Sequence, residues 1–153
     1  MHLNVPTLIS LVALAKFATA EAIGPFYIRS GAKAVTLFVA EIPGQGSPVL
    51  VGKENVLLRT NKWSYDNDTG YITDSNTRLL LAIILAGNGL DIEGEVPTLD
   101  TQRWDWDEGT GQIKSRFDGR CISAPNGGRY ARLRTCDSGK IGKDQQWLPY
   151  SPS

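Results

Sequence analysis

An internal repeat constrains this chain more than any other feature. Residues 102–113, QRWDWDEGTGQI, follow the pattern of residues 61–72, NKWSYDNDTGYI, at a distance of 41 positions. Each stretch has a Trp (Trp63, Trp104), an aromatic residue two positions on (Tyr65, Trp106) and an Asp after that (Asp66, Asp107). Each then has Thr-Gly (Thr69-Gly70, Thr110-Gly111) and an Ile nine positions after the Trp (Ile72, Ile113). Gln145-Gln146-Trp147 supplies a third Trp, 43 positions after the second. A repeat of this length dictates architecture, because each unit must bury its apolar face against its neighbours. Propeller blades have similar lengths, but three units are too few to close a propeller. Three units suit a closed threefold structure.

The pattern inside each unit is β. An alternating apolar triplet precedes each Trp: Val49-Leu50-Val51, Leu90-Asp91-Ile92 and Ala131-Arg132-Leu133. Further upstream lie Ala34–Val39, Arg78–Ile84 and Arg120–Ala124, each bounded by Gly, Asn, Pro or Asp. Phe26-Tyr27-Ile28 opens the first unit, matched by Gly70–Thr73 and Gln112–Ser115. Short strands at regular spacing with turn residues between them mark an all-β fold. Four such strands per unit give twelve. The Asp-x-x-Thr-Gly segments read as turns, with Asp accepting main-chain bonds and Gly supplying positive φ. They offer too few oxygen ligands for calcium.

The first 20 of the 153 residues stand apart. Leu8-Ile9-Ser10-Leu11-Val12-Ala13-Leu14-Ala15 is an apolar run too short to span a membrane, and Ala18-Thr19-Ala20 follows it. Together they read as a secretory signal cleaved after Ala20. Residues 21–153 then form one domain, with 15 basic and 16 acidic side chains. A chain so near neutrality lacks the basic footprint that nucleic acid or an anionic membrane requires. In a secreted chain the two cysteines, Cys121 and Cys136, read as a disulfide. Asn67-Asp68-Thr69 is an N-glycosylation sequon placed in a turn. The only His is His2, inside the leader, so neither a cofactor nor a metal site is expected.

The third unit, 120-RCISAPNGGRYARLRTCDSGKIGKDQQW-147, resembles the ricin B-type lectin repeat. It has a Cys-bearing strand, a Gly/Asn turn, an alternating strand before a second Cys, and Gln-x-Trp. Gln102-Arg103-Trp104 matches that closing motif in the second unit, and Asn61-Lys62-Trp63 matches it loosely in the first. The resemblance spans about residues 24–150. It implies a β-trefoil with pseudo-threefold symmetry and repeats at about 24–65, 66–106 and 107–150. Trp63, Trp104 and Trp147 would be wedges in a shared core, their indole N–H groups served in part by the Gln or Asn two residues back.

The sugar-binding residues of that family do not carry over. Its pattern has an Asp two residues after the first Cys, an aromatic just past the alternating triplet, and an Asn before Gln-x-Trp. The third unit holds Ser123, Arg134 and Asp144 there. In the second unit no Asp follows Leu79–Leu81, and Glu93 and Thr101 replace the aromatic and the Asn. The first unit has Gly52 and Thr60. The candidate ligand residues are therefore a rebuilt set in the third unit: Ser123, Asn126, Tyr130, Arg134, Asp144 and Gln145. Arg129, Arg132 and Arg134 are expected to alternate along one strand and share a face. With no His in the mature chain and both cysteines bonded, no enzyme is expected. The functional expectation is glycan binding. The alternative is a secreted protein-interaction trefoil, an effector or protease inhibitor, using loops such as Glu41–Gly46 and Glu95–Thr101. The expected partner is a glycan or an extracellular protein.

Overall fold

A computed structural model describes residues 23–31, 35–39, 44–53, 62–85, 87–125 and 129–151. The leader, Ala34, residues 41–43, Thr60, Asn61 and the candidate ligand residue Asn126 lie outside the described residues. The described chain forms twelve strands in order: β1 Ile23–Ser30, β2 Val35–Val39, β3 Val49–Lys53, β4 Lys62–Asp66, β5 Tyr71–Asp74 and β6 Leu80–Ile83. They continue as β7 Leu90–Glu93, β8 Trp104–Trp106, β9 Ile113–Ser115, β10 Cys121–Ser123, β11 Arg132–Arg134 and β12 Trp147–Tyr150. One-turn 3-10 helices at Asp100–Gln102 and Lys143–Gln145 lead into β8 and β12.

Six strands make a barrel and six make three hairpins over one end. The barrel pairs are β1–β4, β4–β5, β8–β9 and β1–β12, all antiparallel. The remaining two seams are held by equivalent hydrogen bonds: Trp104 N–H to the Gly70 carbonyl and Trp147 N–H to the Gly111 carbonyl, each 2.8 Å. Both glycines have φ of 79° and pack against the Trp backbone, so a side chain fits neither the dihedral nor the space. The hairpins are β2–β3, β6–β7 and β10–β11.

The hairpins interlock in a cycle. Pro48 bridges Asp91, Gly89 bridges Arg132, and Tyr130 bridges Leu50. Pro48, Gly89 and Tyr130 occupy one position of the repeat, 41 residues apart, and Leu50, Asp91 and Arg132 another. Each hairpin therefore hands on to the next and the third returns to the first, which is the pseudo-threefold axis seen in hydrogen bonds. The fold is an all-β trefoil.

The core sits where barrel and hairpins meet. Trp63, Trp104 and Trp147 are each 0% exposed. Around them pack Ile28, Ile72 and Ile113, and Leu37, Leu81 and Ile122, also buried. Each indole N–H donates to a main-chain carbonyl of its own repeat's first hairpin strand: Trp63 to Leu37 at 3.1 Å, Trp104 to Leu81 at 2.9 Å, Trp147 to Ile122 at 2.9 Å. The Gln of the motif is not the indole's partner, as the sequence suggests. It braces a loop instead. Gln102 donates to the Gly94 carbonyl at 2.7 Å and accepts from Val96 N–H at 2.8 Å. Gln145 does the same with Thr135 and Asp137, at 2.9 and 2.8 Å.

The aromatic two positions after each Trp links repeats. Tyr65 Oη donates to the Trp104 carbonyl at 3.2 Å, and Trp106 Nε1 donates to the Trp147 carbonyl at 3.1 Å. In the turns that follow, Asp66 Oδ1 accepts from Asp68 and Thr69 N–H, and Asp107 Oδ1 accepts from Gly109 N–H. The matched stretches are thus equivalent strand–turn corners of one threefold frame.

Two outcomes follow. Trp104→Ala should cost about 3–5 kcal/mol in urea unfolding, since it leaves a cavity and an unpaired Leu81 carbonyl. The same change at Phe117, which is 52% exposed, should fall within about 0.5 kcal/mol of zero. The second concerns the Cys121–Cys136 disulfide, which joins sites 15 residues apart with a Cα–Cα distance of 5.0 Å. Replacing both cysteines with Ser should lower unfolding stability by about 3 kcal/mol in the chain-entropy account.

Candidate functional site

The three hairpins present equivalent outward faces with different chemistry. Register fixes the equivalence. Thr36 pairs with Gly52, Leu80 with Glu93, and Cys121 with Arg134. Two residues along the strands, Phe38 pairs with Leu50, Ala82 with Asp91, and Ser123 with Arg132. One backbone site therefore carries an apolar face in the first repeat, an acidic one in the second and a basic one in the third.

In the third repeat the polar residues largely meet one another. Ser123, 0% exposed, donates from Oγ to Asp144 Oδ2 at 3.1 Å. Arg134 approaches the same oxygen at 4.0 Å. Gln145 is buried, its amide engaged by Thr135, Asp137 and Gln112 Nε2. Tyr130 is 43% exposed and stands at the head of the hairpin beside Leu50, with the Arg132 guanidinium 6.0 Å from its ring centre. The expected arginine triplet is corrected. Arg132 and Arg134 share the exposed face of β11, but Arg129 lies ahead of the Tyr130 bridge, outside the strand. The intervals are the reason: Arg129 is an odd number of residues from Arg132, and strand faces alternate with period two. Asn67 is exposed in the turn after β4.

The second repeat holds a cleft of about 310 Å³. Its walls are the β6–β7 hairpin, Gln45 from the first repeat, and the segment 94–102 that Gln102 braces. Ile84, Leu85, Val96 and Leu99 line it and remain 39%, 73%, 42% and 44% exposed. Isolated exposed apolar side chains need no explanation, but four converging on one concavity do.

Two carboxyl groups complete the cleft. Asp91 and Glu93 project from the same side of β7, with Ile92 between them turned into the core. Asp91 is 9% exposed and its Oδ1 is buried without a hydrogen-bond partner. Gln45 Nε2 donates to Glu93 Oε1 at 3.2 Å. Among the described residues no Lys or Arg lines the cleft. Burial pushes the Asp91 carboxyl up to about 7, helped by its hydrogen bond to Glu93 and that neighbour's charge. Asp91 thus keeps its proton near neutrality.

Neither Asp91 nor the cleft stands out in the sequence. Asp91 reads as the polar member of an alternating triplet and Glu93 as the replacement of an aromatic. The available signal was the pair of acids at i and i+2, together with apolar Leu85, Val96 and Leu99 in flanking loops.

No protein-family model matches the chain, and no curated protein matches its sequence. Many solved structures share its fold. GalNAc-T7, solved with UDP, GalNAc and Mn2+, aligns over 84% of this chain at TM-score 0.70 and 14% identity. This chain spans only 22% of that protein. The C-terminal domain of an earthworm lectin, a mutant in complex with 6'-sialyllactose, aligns over 83% of this chain and 98% of that domain, at TM-score 0.66 and 16% identity. The hemolytic lectin CEL-III aligns over 84% of this chain and 31% of its own, at TM-score 0.69 and 16% identity. At such identities the likeness is one of fold. It is the β-trefoil that the Gln-x-Trp resemblance to ricin B-type lectins implies.

The raised Asp91 carboxyl gives stability a pH dependence of defined sign. The folded chain keeps a proton that an unfolded aspartate, with its ordinary value of 3.8, has already lost. The stability that Asp91 contributes is therefore fully present below about 4 and is lost as pH rises through about 7. Asp91→Asn should remove this loss. Thermal unfolding at pH 5 and pH 8 checks it: the difference in Tm should shrink in the variant, and an unchanged difference would contradict the assignment.

Proposed function

We propose that this chain is a secreted, non-catalytic carbohydrate-binding protein whose principal site is the cleft of the second repeat. The observation that carries the reading is the meeting there of exposed apolar side chains with hydrogen-bonding carboxyl groups in one concavity. A sugar presents both surfaces. Its C–H face packs on apolar side chains, and its hydroxyl groups donate to carboxylates. The lectin structures that share the fold support the class of ligand. The Cys121–Cys136 disulfide supports an oxidising, extracellular location.

The third repeat offers a second, weaker place, at Ser123, Arg134 and Asp144, with Tyr130 at its edge. Its groups already satisfy one another, which lowers the demand for a ligand. A protein partner docking on the same apolar rim is the alternative function, favoured by the exposure of Leu85.

A glycan array on the folded, disulfide-bonded chain tests the proposal. Binding is expected, and it should be lost in Leu85→Asp, a change at a 73% exposed position that leaves the core untouched. Loss in Arg134→Ala, with Leu85→Asp still binding, would move the site to the third repeat. A blank array from folded protein would overturn carbohydrate binding and direct the search to protein partners of the rim.

A further inference from the structure

The cleft contains an unmet electrostatic demand. Asp91 and Glu93 lie side by side on β7, and among the described residues no cation reaches them from any wall. From the first repeat the facing group is Gln45, a neutral amide donor to Glu93. The 94–102 segment contributes Gly94, Val96, Leu99, Thr101 and Gln102, none charged. The β6 side contributes Ala82, Ile83, Ile84 and Leu85. Arg103, the nearest cation in sequence, is committed elsewhere, donating to the Thr69 and Pro97 carbonyls at 2.8 and 2.7 Å. Acidic Glu95 accepts from Tyr71 Oη at 3.3 Å.

A buried carboxyl oxygen without a partner is costly, and two adjacent carboxyl groups cannot both ionise cheaply. Asp91 lowers that cost by keeping its own proton. A ligand cation does the same more fully. An ammonium has three donors and a positive charge, so it can bond Asp91 and Glu93 together and let Asp91 ionise. It displaces the Asp91 proton to solvent, and no covalent step is involved. The ligand must also carry an apolar face for Leu85, Val96 and Leu99. A sugar ring bearing an amine has both in one residue.

We infer that the second-repeat cleft selects glycans with a free primary amine, unacetylated amino sugars, seating the ammonium between Asp91 and Glu93 under the apolar rim. This rests on the reading of the cleft as a glycan site and narrows it to a chemical class. Acetylation removes the charge and adds bulk where the two acids require a compact cation. The basic face at the equivalent position of the third repeat, Arg132 and Arg134, repels the same ligand, so one repeat alone should bind it.

Titration calorimetry of the full chain at pH 6.5 separates the possibilities, using a glucosamine tetramer with free amines and its N-acetylated counterpart. The free-amine tetramer should bind about tenfold more tightly, the value of one charge-assisted hydrogen bond. Glu93→Gln, at a half-buried position, should abolish that preference while circular dichroism shows the fold intact. Leu85→Asp should abolish binding of both. If the N-acetylated tetramer binds as well or better and Leu85→Asp still abolishes it, the amine selectivity is wrong and the glycan reading stands. A free-amine preference that persists in Glu93→Gln also overturns the inference, because it then reflects overall charge. Silence from both tetramers, with or without binding of a lysine-rich peptide, overturns the inference and the glycan site together.

Discussion

The structure depends on where three indole N–H groups go. A buried Trp ring contributes a large apolar surface, but its N–H must find an acceptor in a place that water does not reach. Here each donates to a carbonyl on the first strand of its own hairpin: Leu37, Leu81 or Ile122. That bond pins the hairpin to the barrel at one point and one depth. The carbonyl of the Trp itself is then available to the preceding repeat. Tyr65 uses Trp104 and Trp106 uses Trp147. Trp and its aromatic successor therefore do two jobs, one within a repeat and one between repeats. The third link of the chain is different, because Pro149 stands where Tyr65 and Trp106 stand and has no donor. There the seam is carried by β1 pairing with β12 over four residues, Tyr27 to Ser30.

A frame fixed from inside leaves the outside free to vary. Positions Leu50, Asp91 and Arg132 share one backbone setting and one set of bridges, yet carry apolar, acidic and basic side chains. The same holds for Gly52, Glu93 and Arg134. None of these contributes to the Trp network, so a change there costs the core little. Chemistry can thus be placed in one repeat without being copied to the others. The near-zero net charge of the chain hides this arrangement, because the acidic and basic faces offset each other in composition while staying apart in space.

This division also governs what the sequence reveals. The threefold fold was legible because its determinants recur: Trp at intervals of 41 and 43, Gln before it, Thr-Gly after it. The role of Gln102 and Gln145 was legible only as a position. Their target, the loop that each clamps, depends on folding back across eight and ten residues to Gly94 and Thr135. The cleft was not legible, for a related reason. Its defining contacts are long-range and occur once. Gln45 and Glu93 meet across 48 residues, and among the described residues no other hairpin shows such a bond. Against the lectin pattern the second repeat has no Asp after Leu79–Leu81, and Glu93 and Thr101 replace its aromatic and its Asn. Asp91 lies two residues before Glu93, the position of the family's aromatic.

The second and third repeats differ in how far each satisfies its own polar groups. In the third, Cys136 ties the outer wall to Cys121, and Ser123, Asp144 and Arg134 form a self-satisfied group. Little is gained there by adding a ligand, because each polar group already has a partner. In the second, Glu95 stands in place of the wall cysteine. The wall is held from behind, by Gln102 on Gly94 and Val96 and by Arg103 on Pro97. Bracing from behind leaves the inner surface open. Asp91 is left with a buried oxygen that none of the described residues reaches with a hydrogen bond, beside apolar side chains that water covers. Free energy is available from filling that space with a molecule that donates to the oxygen and covers the rim. The same free energy is not available in the third repeat, although its residues look more like a binding site when read as letters.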